Sequence, residues 1–181
     1  MFLRRLDDES ELTLVEPRHT EAMYKVIDAN REHLREWLPW VDATRGPSDT
    51  LANVEQSMRQ YAANQGFQAA IWHRGEFAGR IGFHGVSWAN RAASIGYWLA
   101  APYQGKGLMT RAVEALVDHA FLEWKLNRVE IRCATGNAKS RAIPERLGFT
   151  QEGTLREVEW LYDRHVDLVV YGMLAREWRG R

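Results

Sequence analysis

The chain has 181 residues, 45% of them apolar and 27% charged, a composition that excludes a disordered or fibrous protein and predicts a single domain over residues 1–181. Its 24 lysine and arginine side chains balance its 24 aspartate and glutamate side chains. The broad positive field that duplex DNA binders use is therefore missing, and we do not expect nucleic acid as a ligand.

Three sequence features favour the cytoplasm. The single cysteine, Cys133, has no partner for an internal disulfide, which fits a reducing compartment. Acidic residues at positions 7–9 stand where a secretory signal needs an apolar stretch. The longest apolar run, residues 168–175, is much shorter than the roughly 20 residues of a membrane-spanning helix, so we expect no membrane segment.

The first third of the chain predicts one strand and then helices. Residues 12–15 alternate weakly and precede a proline, which favours a short strand. Apolar residues then recur at helical spacing from His19, and a second helical piece at residues 31–38 ends at Pro39. Another helix is predicted from about residue 51 to residue 64.

The middle of the chain predicts strands and then a strongly amphipathic helix. Residues 67–72 and 77–83 flank an Arg-Gly turn and predict a β-hairpin, to which residues 94–99 add a third antiparallel strand. Residues 108–124 place their apolar side chains on one helical face. We expect this helix to pack on the sheet.

The last third alternates between strands and helices. Strands are predicted at 128–133, 149–158 and 167–174, with a helix at 140–147. Together with the preceding segments, this order predicts an α+β fold with a mixed sheet and helices on its faces.

A glycine-rich loop joins the strand that ends at Leu99 to the helix that begins at Leu108. Gly105 and Gly107 allow the main chain to form a cup of N–H groups at the positive end of the helix dipole, where a phosphate binds. Lys106 adds a positive charge. The alternative is that the glycines only make a turn. Neither the P-loop spacing nor the dinucleotide-binding fingerprint is present.

The segment Gln104-Gly105-Lys106-Gly107-Leu108-Met109-Thr110 resembles the acetyl-CoA signature of the GNAT superfamily of N-acetyltransferases, Arg/Gln-x-x-Gly-x-Gly/Ala. It departs from that pattern at Met109, where the family has a small residue. Its form is similar to that of the ribosomal-protein N-terminal acetyltransferases. Further similarity to the superfamily lies at residues 90–99, 126–129, 137–141 and 147–149, and the tryptophan-rich residues 33–40 are similar to the acceptor side of that subgroup.

The resemblance implies a mostly antiparallel sheet of six to seven strands, with helices on both faces and a V-shaped splay between the two central parallel strands. It also implies acetyl-CoA as cosubstrate. The pantetheine arm would lie along the backbone of Tyr97, Trp98 and Leu99. The implied pyrophosphate site comprises Gln104, Gly105, Lys106, Gly107, Leu108, Met109 and Thr110, although Thr110 is alternatively an ordinary first-turn residue. The second implied CoA-binding segment contains Asn137 and Ser140.

The resemblance also implies two catalytic side chains. Ser140 would donate a hydrogen bond to the departing sulfur, and its alternative is a helix N-cap. Glu159 would act as base or position a water, although Glu157 lies on the same face if the strand is regular, and either carboxylate is alternatively a surface charge. Tyr97 and Tyr103 are weaker candidates for proton donors. Cys133 would be a nucleophile only if a histidine met it in space.

Candidates for acceptor binding are Trp37, Trp40 and His84. The two tryptophans would form an aromatic wall, or else anchor the core. The histidines show no metal-ligand spacing, so we expect no metal.

The expected reaction is acetyl transfer to a primary amine, with the N-terminal α-amino group of a ribosomal protein as first choice. A small amine, such as a polyamine, an amino-sugar antibiotic or an aminoacyl compound, is the alternative acceptor, and a non-catalytic CoA-binding module is a third reading. Relatives in this subgroup pair, and eight tryptophans are many for one small core, so we expect a homodimer.

Overall fold

A computed structural model describes residues 3–178, and an eight-stranded sheet runs through them. The strands are β1 Leu3–Arg5, β2 Ser10–Leu14, β3 Gln68–His73, β4 Glu76–Ser87, β5 Ala92–Leu99, β6 Arg128–Ala134, β7 Thr150–Leu161 and β8 Arg164–Leu174. Their order across the sheet is β1-β2-β3-β4-β5-β6-β8-β7. Every neighbouring pair is antiparallel except β5 and β6, which are parallel. The predicted mixed sheet is thus confirmed.

Within residues 3–178 there are six α-helices, five between strands and a last one after β8: α1 Thr20–Ala29, α2 Arg31–Arg35, α3 Pro47–Ala62, α4 Leu108–Asp118, α5 Ala138–Arg146 and α6 Ala175–Trp178. A π-helical turn, His119–Glu123, extends α4, so the long helix predicted there is present in two parts. Among the described residues no helix is both long and apolar enough to cross a membrane.

The sheet separates apolar clusters that pack on its two faces. One cluster joins alternate residues of the central strands, such as Ile95 and Ile131, to Leu116 of α4. The other joins Ala70 of β3 to Val54 of α3 and to residues of α1. Helices cover both faces because the central strands β3 and β4 bury consecutive residues and so present apolar side chains in both directions.

The two parallel strands separate halfway along their length. Their pairing ends at Ile95 and Ile131. Beyond this point β5 stays paired with β4 as far as Leu99, while β6 stays paired with β8 as far as Ala134. The two halves of the sheet therefore diverge, which confirms the predicted V-shaped splay and leaves one edge of β5 without a strand partner.

The sheet is larger than the six or seven strands expected. β1 is a three-residue, exposed edge strand whose Leu-Arg-Arg sequence carries no alternation, so its pairing with β2 gives no sequence signal. β7 and β8 extend to Leu161 and Arg164, because the polar residues of β7 suit a largely exposed edge strand. The single domain over 1–181 stays a prediction, and residues 1, 2 and 179–181 lie outside the described range.

Candidate active site

The loop before α4 forms a cup of unsatisfied backbone donors. Gly105 and Gly107 have φ values of +74° and +72°, a left-handed conformation that glycine adopts without strain. The first helical hydrogen bond of α4 runs from the Arg111 N–H to the Gly107 carbonyl at 3.1 Å. Within residues 3–178, the N–H groups of residues 105–110 donate to no acceptor of the chain. Their dipoles suit an anion.

Side chains around this cup hold its shape and add positive charge. Lys139 Nζ donates to Gln104 Oε1 at 2.9 Å, and Gln104 Nε2 lies 3.0 Å from Nε2 of His33. Arg146 donates to the Thr110 hydroxyl at 2.8 Å. Gln104 thereby links the loop to α2 and α5. These basic residues were not assigned a role from the sequence, since their contacts with the loop are tertiary.

The large residues in the first turn of α4 do not obstruct the cup. Leu108 and Met109 are 1% and 5% exposed, with Met109 packed in the main apolar cluster. Only their backbone groups can face a ligand. The departure from the family signature at Met109 is therefore accommodated by the core. Lys106 extends over the Tyr103 ring, with Nζ 5.4 Å from the ring centroid.

A cavity of about 1010 Å³ lies at the splay between β5 and β6. It brings together half of the candidate site residues singled out in the sequence: Trp37, Trp40, His84, Tyr97, Trp98, Asn137, Ser140 and Glu159. Leu99 and the loop at residues 104–110 do not line it; Leu99 directly follows Trp98, and residues 100–103 separate Leu99 from the loop. The cavity thus extends from the splay to the tryptophan-rich segment and to Glu159.

Ser140 points its hydroxyl into a small polar cluster at this splay. Its Oγ lies 3.2 Å from Cys133 Sγ and 3.4 Å from Tyr97 Oη. The helix N-cap is Asn137, whose Oδ1 accepts from the Ser140 N–H at 3.1 Å. The alternative reading of Ser140 as the N-cap is wrong, because Asn137 already satisfies the exposed N–H group. The Ser140 hydroxyl is left available for chemistry.

Burial keeps the neighbouring thiol and phenol protonated. It raises the pKa of Cys133, although hydrogen bonds from Ser140 and Tyr97 oppose that effect. Burial likewise raises the pKa of Tyr97 well above its usual value. The Tyr97 hydroxyl donates to the Ser140 carbonyl at 3.0 Å. Cys133 contacts hydroxyl groups rather than a histidine, so the condition set for a nucleophilic cysteine is not met.

Glu159 lines the cavity, and Glu157 does not. A register shift between Leu155 and Glu159 interrupts the alternation of β7. Glu157 takes a φ of +51° in this bulge and donates its N–H to Asp167. The expectation that the two glutamates share a face is wrong because it assumed a regular strand. Burial raises the pKa of Glu159.

Aromatic side chains form one wall of the cavity. The Trp40 and Trp98 rings lie 6.0 Å apart between centroids, and Trp40 also packs against the apolar cluster beneath α3. The Trp37 ring abuts Gly136, where a Cβ atom would come within 3.1 Å of Cη2. Trp40 therefore both lines the cavity and anchors the core.

The turn between β7 and β8 is fastened to this wall. The Tyr162 hydroxyl donates to the Leu38 carbonyl at 2.6 Å, and the Arg35 guanidinium lies 3.8 Å above the Tyr162 ring. This contact connects the strand that carries Glu159 with the tryptophan-rich segment. No local pattern predicts this contact, since the two segments are more than a hundred residues apart.

His84 lies in the cavity with its ring across Gly96. Burial lowers the pKa of His84, and the nearby Arg80 lowers it further. Arg80 lines the same cavity and was missed in the sequence, although it is the only charged residue in the apolar segment 77–83. Within residues 3–178, no three side chains of metal-ligand type come together.

A splayed mixed sheet with a backbone anion cup beside the splay is the arrangement that the resemblance to the N-acetyltransferases implies. Residues 11–150 match the family model described as the acetyltransferase (GNAT) domain. The chain belongs to the GNAT acetyltransferase family, as its glycine-rich loop predicted.

Similarity extends over nearly the whole chain. The protein YdaF of Bacillus subtilis (strain 168), provisionally named as a ribosomal N-acetyltransferase, is 38% identical over 99% of both sequences. The structure of RimL, a ribosomal L7/L12 α-N-protein acetyltransferase with coenzyme A in a disulfide with a cysteine, has a TM-score of 0.93 and 26% identity, covering 97% of this chain and 99% of RimL. MccE, the microcin C7 self-immunity acetyltransferase, in complex with acetyl-CoA and AMP, has a TM-score of 0.90 and 31% identity, covering 93% and 94%. The similarity to ribosomal-protein acetyltransferases is thus confirmed.

Proposed function

We propose that this enzyme transfers the acetyl group of acetyl-CoA to the N-terminal α-amino group of a ribosomal protein. The observation that carries the proposal is the row of N–H groups at residues 105–110 with no acceptor within the described chain. Such a row at the start of a helix suits the pyrophosphate of CoA. Lys139 and Arg146, which contact the loop, supply positive charge nearby.

The splay supplies a place for the thioester arm. The edge of β5 beyond Ile95 has no strand partner, so the backbone of residues 97–99 is available to the amides of pantetheine. This path leads from the cup to the cluster of Cys133, Tyr97 and Ser140. An N–H group of the same backbone segment would stabilise the oxyanion formed during acyl transfer. Asn137 positions Ser140 by capping α5.

Ser140 and Glu159 take the two proton-transfer roles. The Ser140 hydroxyl donates to the sulfur as the carbon–sulfur bond breaks. Glu159, with its pKa raised by burial, accepts the amine proton directly or through a water. About a tenth of an α-amino group with a pKa near 8 is neutral at pH 7, whereas far less of a lysine amine is neutral. The α-amine therefore needs only modest help from this carboxylate.

The acceptor is assigned from the relatives and from the cavity. YdaF and RimL are both named for ribosomal substrates, and RimL for an α-amino group. The cavity between Trp37, Trp40 and Glu159 is open enough to admit an extended peptide end. A small amine remains the alternative acceptor that an experiment must exclude.

Mass spectrometry provides that experiment. The enzyme is incubated with acetyl-CoA and either intact ribosomal proteins or a panel of polyamines, amino sugars and aminoacyl compounds. We expect a mass increase of one acetyl group on the first residue of a ribosomal protein. Modification confined to the small amines would refute the proposed acceptor, and CoA binding without transfer to any amine would refute catalysis.

We also propose a cytoplasmic homodimer. Leu155, Val158 and Trp160 on edge strand β7 are 37%, 48% and 55% exposed, and a second copy packed against this edge strand would cover such apolar side chains. Sedimentation velocity at micromolar concentration should show a particle of twice 20.9 kDa. A species of 20.9 kDa alone would contradict the dimer.

A further inference from the structure

Arg80 of β4 places a positive charge in the wall of the cavity, and it has no acidic partner among residues 3–178. Its Nε donates to Gln68 Oε1 at 3.2 Å and its Nη2 to Ser57 Oγ at 2.5 Å. Its Nη1 donates to Asn53 Oδ1. All three acceptors are neutral, and within residues 3–178 no carboxylate forms an ion pair with this guanidinium.

Burying a positive charge whose hydrogen-bond partners are all neutral lowers the free energy of unfolding. Burial lowers the pKa of Arg80 to about 10, which still leaves the side chain charged at neutral pH. A guanidinium has five N–H groups, and three of these are used by the bonds above. The remaining donors and the uncompensated charge suit an anionic oxygen.

Two glycines shape the floor of the cavity beside Arg80. A Cβ atom at Gly82 would collide with the side chain of Gln68, which bonds to Arg80. A Cβ at Gly96 would lie 2.7 Å from Nε2 of His84. The absence of these side chains lets Gln68 and His84 lie flat against the sheet. Because burial and Arg80 both lower the pKa of His84, the histidine adds no second positive charge.

The position of Arg80 relates it to the reacting group. In the sheet Arg80 pairs directly with Trp98, next to Tyr97, whose backbone is proposed to align the thioester. Neighbouring strands are about 5 Å apart, and an extended peptide advances about 3.4 Å per residue. An anionic side chain that reaches Arg80 would therefore belong to the first or second residue of the acceptor.

We propose that Arg80 binds a carboxylate carried by the first or second residue of the acceptor and so selects amines that have a neighbouring acidic group. This inference rests on the proposed function and specifies its substrate class. The competing explanation is a purely structural one, in which Arg80 only ties α3 to β4 through Asn53 and Ser57. A structural role would affect every acceptor equally, whereas recognition would affect acidic acceptors alone.

Steady-state kinetics with two matched hexapeptides, beginning Ser-Asp and Ser-Asn and otherwise identical, separate these roles. For the wild-type enzyme we expect a KM about 10-fold or more lower for the acidic peptide, with similar kcat values. Arg80→Gln should remove this preference, and Arg80→Lys should retain part of it. Arg59→Gln provides a matched control on the exposed side of α3, where Arg59 is paired with Glu55, and should behave as the wild type.

Equal KM values for the two peptides in the wild type would overturn the inference, as would an Arg80→Gln variant that loses both peptides to the same degree. If Arg80→Gln fails to fold, the wild-type enzyme still tests the role of Arg80. Its preference for the acidic peptide should decrease as the KCl concentration is raised, because salt screens the attraction between the two charges. A preference that salt does not change would contradict the inference. Acetylation of neither peptide would refute the proposed acceptor class instead. The α-amides of aspartic acid and asparagine, measured in the same panel, would then test Arg80 in the same way, and equal KM values for them would overturn its assigned role.

Discussion

Replacing Ser140 by alanine tests the proton donor without removing the helix cap. The hydroxyl lies 3.2 Å from Cys133 Sγ and 3.4 Å from Tyr97 Oη, while the cap uses only the backbone N–H of Ser140. Ser140→Ala should therefore leave the melting temperature nearly unchanged. Asn137→Ala is the matched comparison, because loss of the cap costs about 1 kcal/mol, or about 2–4 °C in a chain of this size.

The size of the catalytic loss follows from the leaving group. A thiol with a pKa near 8.5 is about 1.5 pKa units from pH 7, so proton donation to the departing sulfur gains at most about 2 kcal/mol. That free energy corresponds to a decrease in kcat of about 30-fold for Ser140→Ala. The loss should diminish above pH 8.5, where the thiolate leaves without a proton. Tyr97, 3.9 Å from Cys133 Sγ, is the second hydroxyl in the cluster and a source of residual activity.

The assay is the initial rate of free-thiol release from acetyl-CoA at saturating acceptor, measured from pH 6.5 to 9.5 beside thermal melts of both variants. A Ser140→Ala enzyme with unchanged kcat and a lowered melting temperature would refute the reasoning. So would a loss of activity that stays constant across this pH range, since it would have no relation to the ionisation of the leaving thiol.

Three further predictions concern the cavity. Because burial raises the pKa of Glu159, kcat/KM should fall as pH drops through that raised value. Glu159→Gln should lose this acidic limb of the pH profile of kcat/KM. A pH profile that is the same in the variant and the wild type would contradict Glu159 as the base. The folded protein holds the Glu159 proton more tightly than the unfolded chain does, so protonated Glu159 stabilises the fold at low pH. That stabilisation is lost as pH rises through the raised pKa. Calorimetry at pH 8 should therefore show Glu159→Gln melting at a higher temperature than the wild type. Tyr162→Phe removes the bond to the Leu38 carbonyl and should raise the acceptor KM by about 2- to 10-fold with little change in kcat, whereas an equal KM would show that the turn does not shape the cavity. The buried Cys133 thiol should react with iodoacetamide at least about 10-fold more slowly than free glutathione at pH 8. Bound CoA should slow this reaction further. Peptide mapping that shows no protection of Cys133 by CoA would contradict the proposed path of the pantetheine arm.

The sequence predicted those parts of the fold in which local pattern and tertiary packing agree. α4 begins at Leu108 as expected, because Gly107 adopts the left-handed conformation and the apolar face beyond it packs on the sheet. The splay was also expected, through the family resemblance of residues 90–99. β1 was missed because its three exposed residues gain their structure only by pairing with β2.

The candidate site was predictable where it depends on consecutive residues and unpredictable where it depends on distant contacts. The cup at residues 105–110 was a candidate from its glycines together with the family resemblance, both of which depend on consecutive residues. The bulge that separates Glu157 from Glu159 could not, because it is set by pairing with β8. The surroundings of Arg80 depend on its hydrogen bonds to Asn53 and Ser57, which lie more than twenty residues away in the sequence. A single charged residue in an apolar strand is nevertheless a signal by which Arg80 could have been identified.

The central claim is that backbone N–H groups of residues 105–110 bind the pyrophosphate of CoA. Isothermal titration calorimetry tests this claim most directly, by comparing CoA binding to the variants Gly105→Asp and Gly105→Asn. A Cβ atom at Gly105 would meet nothing within 4 Å, and both residues tolerate its φ of +74°, so the two variants differ only in charge. A carboxylate about 5 Å from the pyrophosphate costs between about 1 and 3 kcal/mol, depending on the local dielectric constant. The account predicts that Gly105→Asp binds CoA about 10-fold or more weakly than Gly105→Asn at low salt. Equal affinities for the two variants would contradict it.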